Sequence, residues 1–181
     1  MTNMTGRGRV RLAVPAALAL ALLLPATTLA ATIDGTDGPD LIYGTASDDT
    51  ITAFGGADTV FARGGDDIVR GGAGGDEMYG GRGRDLITGN SGMDTIRGGR
   101  GADTLYGDGG NDTIYGGRGG DTITGGNGSD SIFGGPGNDV IFASDATADT
   151  IVCGAGTDDT VTKDAVIDTA DASCENVINV F

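Results

Sequence analysis

An aspartate recurs every nine residues along most of the chain. The series has twelve members in strict register, and eleven of them are preceded two positions earlier by glycine, with Ser47 as the exception. A fixed period of this kind indicates stacked repeats, in which each unit is one small structural element that packs on its neighbours. The twelve members are Asp40, Asp49, Asp58, Asp67, Asp76, Asp85, Asp94, Asp103, Asp112, Asp121, Asp130 and Asp139.

Each nine-residue unit combines a turn with a short strand. Glycine suits the turn because it adopts positive φ without a Cβ clash. An apolar residue follows each aspartate by two positions, and its neighbours in a strand point the other way. We therefore expect this residue to face the interior. The apolar residues are Ile42, Ile51, Val60, Val69, Met78, Ile87, Ile96, Leu105, Ile114, Ile123, Ile132 and Ile141.

One unit is too short to close a coil, so two units per coil are expected. The sequence predicts an all-β fold, a parallel β-roll or β-helix-like solenoid with about six coils in residues 31–142. Aspartates two units apart then stack at two edges, about 4.8 Å from their neighbours. One edge starts at Asp40 and the other at Asp49.

The stacked carboxylates need a counter-charge. At that spacing two bare carboxylates repel by about 3 kcal/mol at an effective dielectric constant near 20. Beyond residue 33 the chain has eight basic and 26 acidic residues, a net charge of −18. A surface this negative disfavours nucleic acid and anionic membrane surfaces as partners, and membrane insertion is not expected.

The ligands on offer are carboxylate and backbone oxygens. Such hard donors in a flexible cage favour Ca²⁺ over zinc, copper or magnesium. The twelve aspartates are the predicted metal ligands, and six coils leave five gaps at each edge, so the upper bound is about ten ions. The chain has no histidine, which excludes Ser-His-Asp sites and His-ligated zinc, and no enzyme is predicted.

Two units show the full pattern of a known repeat. Gly98–Tyr106 reads GGRGADTLY and Gly125–Phe133 reads GGNGSDSIF. They resemble the hemolysin-type calcium-binding repeat of the repeats-in-toxin (RTX) family, over residues 35–142. The resemblance implies a parallel β-roll with calcium between its turns, as in small stand-alone members of that family.

Some units depart from the pattern at their second turn position. Asn90 and Asp108 are mild changes, since both residue types tolerate left-handed backbone. The first four units depart further, which leaves their calcium sites open. They carry Thr36, Thr45, Phe54 and Arg63 at this position.

The N-terminus has the pattern of a secretory signal peptide. Arginines precede an apolar run from Leu12 to Leu24, and small residues follow up to Ala31. The run is shorter than the roughly 20 residues that a membrane-spanning helix needs. We expect a leader over residues 1–30, cleavage near Ala30 and a secreted, extracellular protein.

The last segment, residues 143–181, is expected to hold degenerate coils and a C-terminal cap. The period slips after Ala143 and resumes weakly at Asp149 and Asp159. Cys153 and Cys174 are predicted to form a disulfide in an oxidising compartment. A further ion bound through Asp158, Asp159 or Asp164 is the alternative to a simple cap.

The ninth position of alternate units forms an outward stripe. Cross-coil stacking would stabilise the sheet by about 0.2–1 kcal/mol per pair. An exposed stripe also suits adhesion to a glycan or protein. The function predicted first is a secreted calcium-binding protein that folds when it binds calcium; an extracellular adhesin or matrix protein is the alternative. The stripe is Tyr43, Phe61, Tyr79, Arg97, Tyr115 and Phe133.

Overall fold

The structure, a computed structural model, describes residues 9–11, 29–165 and 167–180. These residues form a parallel β-solenoid of about eight coils, built from two sheets. The apolar run of the predicted leader lies outside the described residues. Within the described ranges, no helix has the length and apolar character that a membrane crossing requires.

The chain alternates between the two sheets from one strand to the next. The first sheet contains β1 (Arg9–Arg11), β2 (Thr32–Thr36), β4 (Thr50–Gly55), β6 (Ile68–Ala73), β8 (Leu86–Ser91), β10 (Thr104–Gly109), β12 (Thr122–Asn127), β14 (Val140–Ala143), β16 (Thr160–Asp164) and β18 (Asn176–Val180). The second contains β3 (Leu41–Tyr43), β5 (Thr59–Gly64), β7 (Glu77–Arg82), β9 (Thr95–Arg100), β11 (Thr113–Arg118), β13 (Ser131–Pro136), β15 (Thr150–Ala155) and β17 (Thr169–Ala170).

The strand register confirms two units per coil. In the first sheet Leu105 pairs with Ile87 on one side and with Ile123 on the other, so each partner lies two units away along the chain. The second sheet repeats this spacing around Ile114. All of these pairings are parallel, as the predicted β-roll requires.

The core is a double file of aliphatic side chains between the sheets. The apolar residue of every unit is buried, and Ile42, near the N-terminal end, is the most exposed of the twelve at 6%. The neighbouring residues in each strand are partly or fully exposed, because successive side chains point to opposite faces of a sheet. The predicted inside and outside positions are therefore confirmed.

The coils continue beyond the six that the sequence predicts. In β15 Thr150 pairs with Ser131, and in β16 Thr160 pairs with Val140, so the coils that lead to these strands are slightly longer than the regular ones. The turns absorb the inserted residues, and the ladder itself is unbroken. The number of coils is thus corrected from six to about eight.

A disulfide fastens the C-terminal coils. Cys153 lies in β15 and is bonded to Cys174, which precedes β18, with 5.1 Å between their Cα atoms. The predicted pairing is confirmed. In a simple chain-entropy model, a crosslink over a loop of this length stabilises the fold by about 3 kcal/mol.

Candidate metal sites in the turns

The aspartates form two columns along the edges of the roll. Unit positions are numbered 1 to 9 here with the aspartate at position 6, so that Gly71–Tyr79 is one unit. The N–H of each aspartate donates to Oδ1 of the aspartate one coil later, as in Asp94 to Asp112 and Asp103 to Asp121, both 2.8 Å. Eleven of the twelve predicted ligands are buried, and Asp40 is half-buried.

The second carboxylate oxygen is the unusual atom of these turns. Within the described residues, Oδ2 of twelve aspartates is buried and accepts no hydrogen bond. An unpaired buried oxygen of an acid is costly, because it has lost water without gaining a partner. These aspartates are Asp58, Asp67, Asp76, Asp85, Asp94, Asp103, Asp112, Asp121, Asp130, Asp139, Asp149 and Asp159.

The glycines leave room for these oxygens. A Cβ placed on Gly98, at position 1, would lie well under 3.0 Å from Oδ2 of Asp103 in the same unit. The same holds at position 1 of the neighbouring units that carry glycine, for example Gly107 toward Asp112. Position 1 is therefore a cradle into which the free carboxylate oxygen points.

Backbone carbonyls also point into the gaps between coils. Gly72 and Gly74, at positions 2 and 4, have φ of 119° and 134°, the left-handed region that suits glycine. A Cβ on either glycine would overlap a carbonyl oxygen of the preceding coil, from Phe54 and Gly56 respectively. Each gap between stacked turns thus combines a carboxylate oxygen with carbonyl oxygens.

Burial disfavours the charged form of several of these carboxylates. Loss of water raises the pKa of Asp94 and Asp103 to about 7, although a backbone N–H bond opposes the rise and the neighbouring aspartates of the column add to it. Loss of water on burial also raises the pKa of Asp85, to about 6. A positive charge in the gap would favour the charged form and lower these pKa values again.

The donor set fits a hard divalent cation. In the part of the chain that the structure describes, no three His, Cys, Asp or Glu side chains converge, so a site here depends on backbone oxygens as well. All-oxygen coordination that mixes carboxylates and carbonyls in adjustable turns is the chemistry of Ca²⁺. The residues present therefore fit the predicted ion.

The substitutions at position 2 fall into two groups. Four of them keep the left-handed backbone of glycine, and the aspartates of their units keep a free Oδ2: Phe54 (φ 76°), Arg63 (φ 82°), Asn90 (φ 75°) and Asp108 (φ 70°). Thr36 and Thr45 are not left-handed, and Oδ2 of their aspartates accepts hydrogen bonds. Replacing the position 2 glycine by threonine therefore changes the turn, whereas phenylalanine or arginine at that position keeps its backbone conformation.

Two candidate site residues lie outside the regular series. Asp149 and Asp159 are buried with a free Oδ2 and continue the two columns. Their signal in the sequence was the Asp-Thr-apolar triplet at 149–151 and 159–161, which the slipped period obscured. Of the alternative ligands predicted in this segment, Asp158 accepts from the Asn176 amide and Asp164 accepts from the Ala146 N–H.

The outward stripe is a stack of rings on the second sheet. Tyr43, Phe61 and Tyr79 are stacked with centroid distances of 5.3 and 4.7 Å, and Tyr115 lies 4.8 Å from Phe133. The Arg97 guanidinium lies between the two groups, 5.0 Å from the Tyr79 ring and 5.1 Å from the Tyr115 ring. The ring faces therefore contact one another, which favours a stabilising role.

An arginine column runs beside these rings. Arg100 pairs in register with Arg82 and Arg118, and these arginines help to line a groove of about 600 Å³ that also contains Tyr115 and Phe133. All three are exposed, and none forms a salt bridge within the described residues. At the corresponding positions of β4, β6, β8, β10 and β12 in the first sheet the residues are uncharged: Gly55, Ala73, Ser91, Gly109 and Asn127.

Comparison with known proteins agrees with this geometry. A family profile described as the RTX calcium-binding nonapeptide repeat (4 copies) matches residues 34–69, 52–87, 88–123, 115–151 and 124–160. A search of curated proteins gives no match. The matches together span residues 34–160, which is well over half of the chain. The chain therefore belongs to the family of RTX calcium-binding nonapeptide repeat proteins.

Proposed function

We propose that this chain is a secreted calcium-binding protein whose folding is coupled to the binding of multiple Ca²⁺ ions between its stacked turns. The observation that carries the proposal is the set of twelve buried, unpaired Oδ2 atoms in two columns. Calcium would supply the positive charge that these columns lack. The aspartates and turn carbonyls would hold the ion in place of water.

The electrostatics support coupling between binding and folding. Stacking of the coils brings the acids of each column close together, because the Asp76 backbone N–H donates to Oδ1 of Asp94 one coil later at 2.8 Å. Such acids repel each other and lose hydration on burial. Extracellular calcium modules typically have Kd values of about 10⁻⁴–10⁻³ M, so weak sites of this kind would fill outside the cell.

Secretion is supported by the N-terminal pattern and by the cysteine pair. A disulfide such as Cys153–Cys174 persists in oxidising compartments. We expect export of the full-length chain to yield a mature N-terminus at Ala31 or close to it, which N-terminal sequencing of the exported protein would establish. Retention of residues 1–30 on the exported protein would contradict this part of the proposal.

A calcium titration followed by circular dichroism tests the coupling. The mature chain should give a coil spectrum in chelator and a β spectrum in calcium, with a cooperative transition. Magnesium is the matched control, and it should substitute poorly because it prefers stricter octahedral geometry with retained water. A titration in which calcium leaves the spectrum unchanged would contradict the proposal.

Adhesion to an anionic polysaccharide is the second candidate function. Three unpaired arginines in register, Arg82, Arg100 and Arg118, place positive charge on one face of a strongly acidic molecule. Nucleic acid is favoured less, because base stacking needs open ring faces and these rings contact each other. An acidic polysaccharide needs only charge and hydrogen bonds to bind in the groove.

Binding to a sulfated polysaccharide, with neutral dextran as the control, tests this second function. Arg100→Ser and Arg118→Ser together should weaken binding at least tenfold, whereas Tyr79→Ser with Tyr115→Ser should weaken it less, because the rings contact one another. Arg70→Ser, on the other sheet, is the control for loss of a positive charge outside the groove, and it should leave binding nearly unchanged. Equal binding of the wild type to dextran, or tighter binding to single-stranded DNA, would contradict the assignment.

A further inference from the structure

We infer that three turns at the ends of the roll are closed by the protein's own hydrogen-bond donors, and that only the twelve turns between them take calcium. The inference rests on the proposed calcium function and specifies which turns perform it. In each of the three end turns, the N–H at position 2 donates to the acid four residues later. The donor and acceptor pairs are Thr36–Asp40, Thr45–Asp49 and Asp164–Asp168.

The first end turn shows how a hydroxyl replaces an ion. Oδ2 of Asp40 accepts from the Thr36 N–H at 2.6 Å and lies 3.0 Å from the Thr36 hydroxyl. The same hydroxyl lies 3.2 Å from the Gly38 carbonyl and accepts from the Gly38 N–H. The carboxylate and the position 4 carbonyl, which face the gap in interior turns, are here connected by one side chain.

The second end turn repeats this arrangement. Oδ2 of Asp49 accepts from the Thr45 N–H at 2.5 Å, and the Thr45 hydroxyl lies 3.1 Å from Oδ1 of the same carboxylate. The hydroxyl also contacts the Ser47 carbonyl and accepts from the Ser47 N–H. Thr45 is buried, so solvent does not compete strongly with these bonds.

The carbonyls of these two turns also point differently. A Cβ built on Gly74, an interior glycine, would meet first the carbonyl oxygen of Gly56 in the preceding coil. A Cβ on Gly56 would meet first the carbonyl carbon of Gly38, and one on Gly65 would meet first the carbonyl carbon of Ser47. The position 4 oxygens of the first two turns are therefore turned away from the next coil.

At the other end, a lysine ammonium takes the place of the ion. Lys163 lies at position 1, which glycine occupies in most interior turns, and its side chain is buried. Its Nζ donates to the carbonyl oxygens of Asp164 at 3.2 Å and Asp168 at 3.0 Å. The position 2 carbonyl thus contacts a cation that belongs to the chain itself.

The proposed calcium sites therefore occupy a different stretch of the roll from the one that the sequence pattern suggests. The unpaired acids number six in each column, from Asp58 to Asp149 in one and from Asp67 to Asp159 in the other, so five gaps in each column lie between two of them. The upper bound of about ten ions is unchanged, but the set begins one coil later than the sequence pattern suggests. The end turns would stay closed when the interior turns lose their ions.

Ion counting by native mass spectrometry on folded, calcium-loaded protein tests the inference. Thr45→Gly should gain one ion per chain, because the turn regains left-handed backbone and frees Oδ2 of Asp49. Thr45→Val is the matched control, since it stays β-branched and should gain none. In the reverse direction Asn90→Thr should lose one ion, because a β-branched residue disfavours the φ of 75° at this position.

The outcomes separate this inference from the proposed function. A wild type that binds no calcium would overturn both. A wild type that binds calcium, with Thr45→Gly and Asn90→Thr counts equal to its own, would overturn the end-turn inference alone. Asn90→Gly serves as the folding control for the interior site, and it should keep the wild-type count.

Discussion

The end turns and the interior turns of this roll contain the same aspartate in the same register, yet they satisfy it in opposite ways. In the first turn, a threonine hydroxyl and an N–H bind the carboxylate of Asp40. In an interior turn such as that of Asp103, the equivalent oxygen is buried without a partner. Between these two turns, position 2 rather than the aspartate decides whether the turn is complete without a metal ion.

The sharpest contrast between the two kinds of turn lies at the position 4 glycines. Gly74→Ala should cost more than about 3 kcal/mol of unfolding free energy in calcium, because a left-handed alanine is strained and its Cβ would overlap the Gly56 carbonyl. Gly38→Ala is the matched end-turn control. A Cβ there meets nothing within 4 Å, so the change should be neutral or stabilising by about 0.4–1 kcal/mol. Equal losses in urea denaturation would contradict the distinction.

Replacing the acid itself should produce the next largest difference. Asp103→Asn should remove an ion, and a site filled at about 100 times its Kd contributes about 2.7 kcal/mol of stability. Asp40→Asn, in the first turn, should leave the ion count and the calcium midpoint unchanged. Ion counting and calcium titration of both variants would measure this. A lost ion in Asp40→Asn would show that the first turn also binds metal.

A change of pH should act on the interior turns, with the smallest effect of the three changes. The folded-state pKa of Asp94 is raised from 3.8 to about 7 by burial. Stability from the protonated form is therefore present below about pH 4 and is lost as pH rises through 7. In chelator, residual β structure should increase as the pH is lowered from 8 to 5. Over the same pH change, the midpoint of the calcium titration should move to higher calcium concentration. If circular dichroism shows β structure in chelator falling, or the calcium midpoint dropping, from pH 8 to pH 5, the role of burial would be contradicted.

The sequence predicted the parts of this structure that depend on periodicity. The register of two units per coil, the two columns of aspartates and the burial of residues such as Leu105 follow from a repeat whose side chains alternate between inside and outside. The disulfide also followed, because only two cysteines were present. These features follow from the spacing of residues along the sequence alone.

The features that the sequence did not predict depend on local backbone direction. Phe54 and Thr36 both replace a turn glycine, but only the structure shows that Phe54 is left-handed and that Thr36 binds its own carboxylate. Asp149 and Asp159 were placed in degenerate coils next to a cap, with Asp159 as an alternative ligand, because inserted residues broke the period; the turns absorb those insertions and keep the ladder intact. The role of Lys163 depends on two carbonyls that come together only in the folded turn.

The most direct measurement is thermal unfolding of the mature protein in excess chelator and in saturating calcium. The columns of buried acids predict a cooperative, high-temperature transition with calcium and no folded baseline without it. Restoring calcium to the chelated sample should restore the transition. An equally ordered and heat-resistant state in both conditions would mean that these acids align without an ion, and it would contradict the central claim.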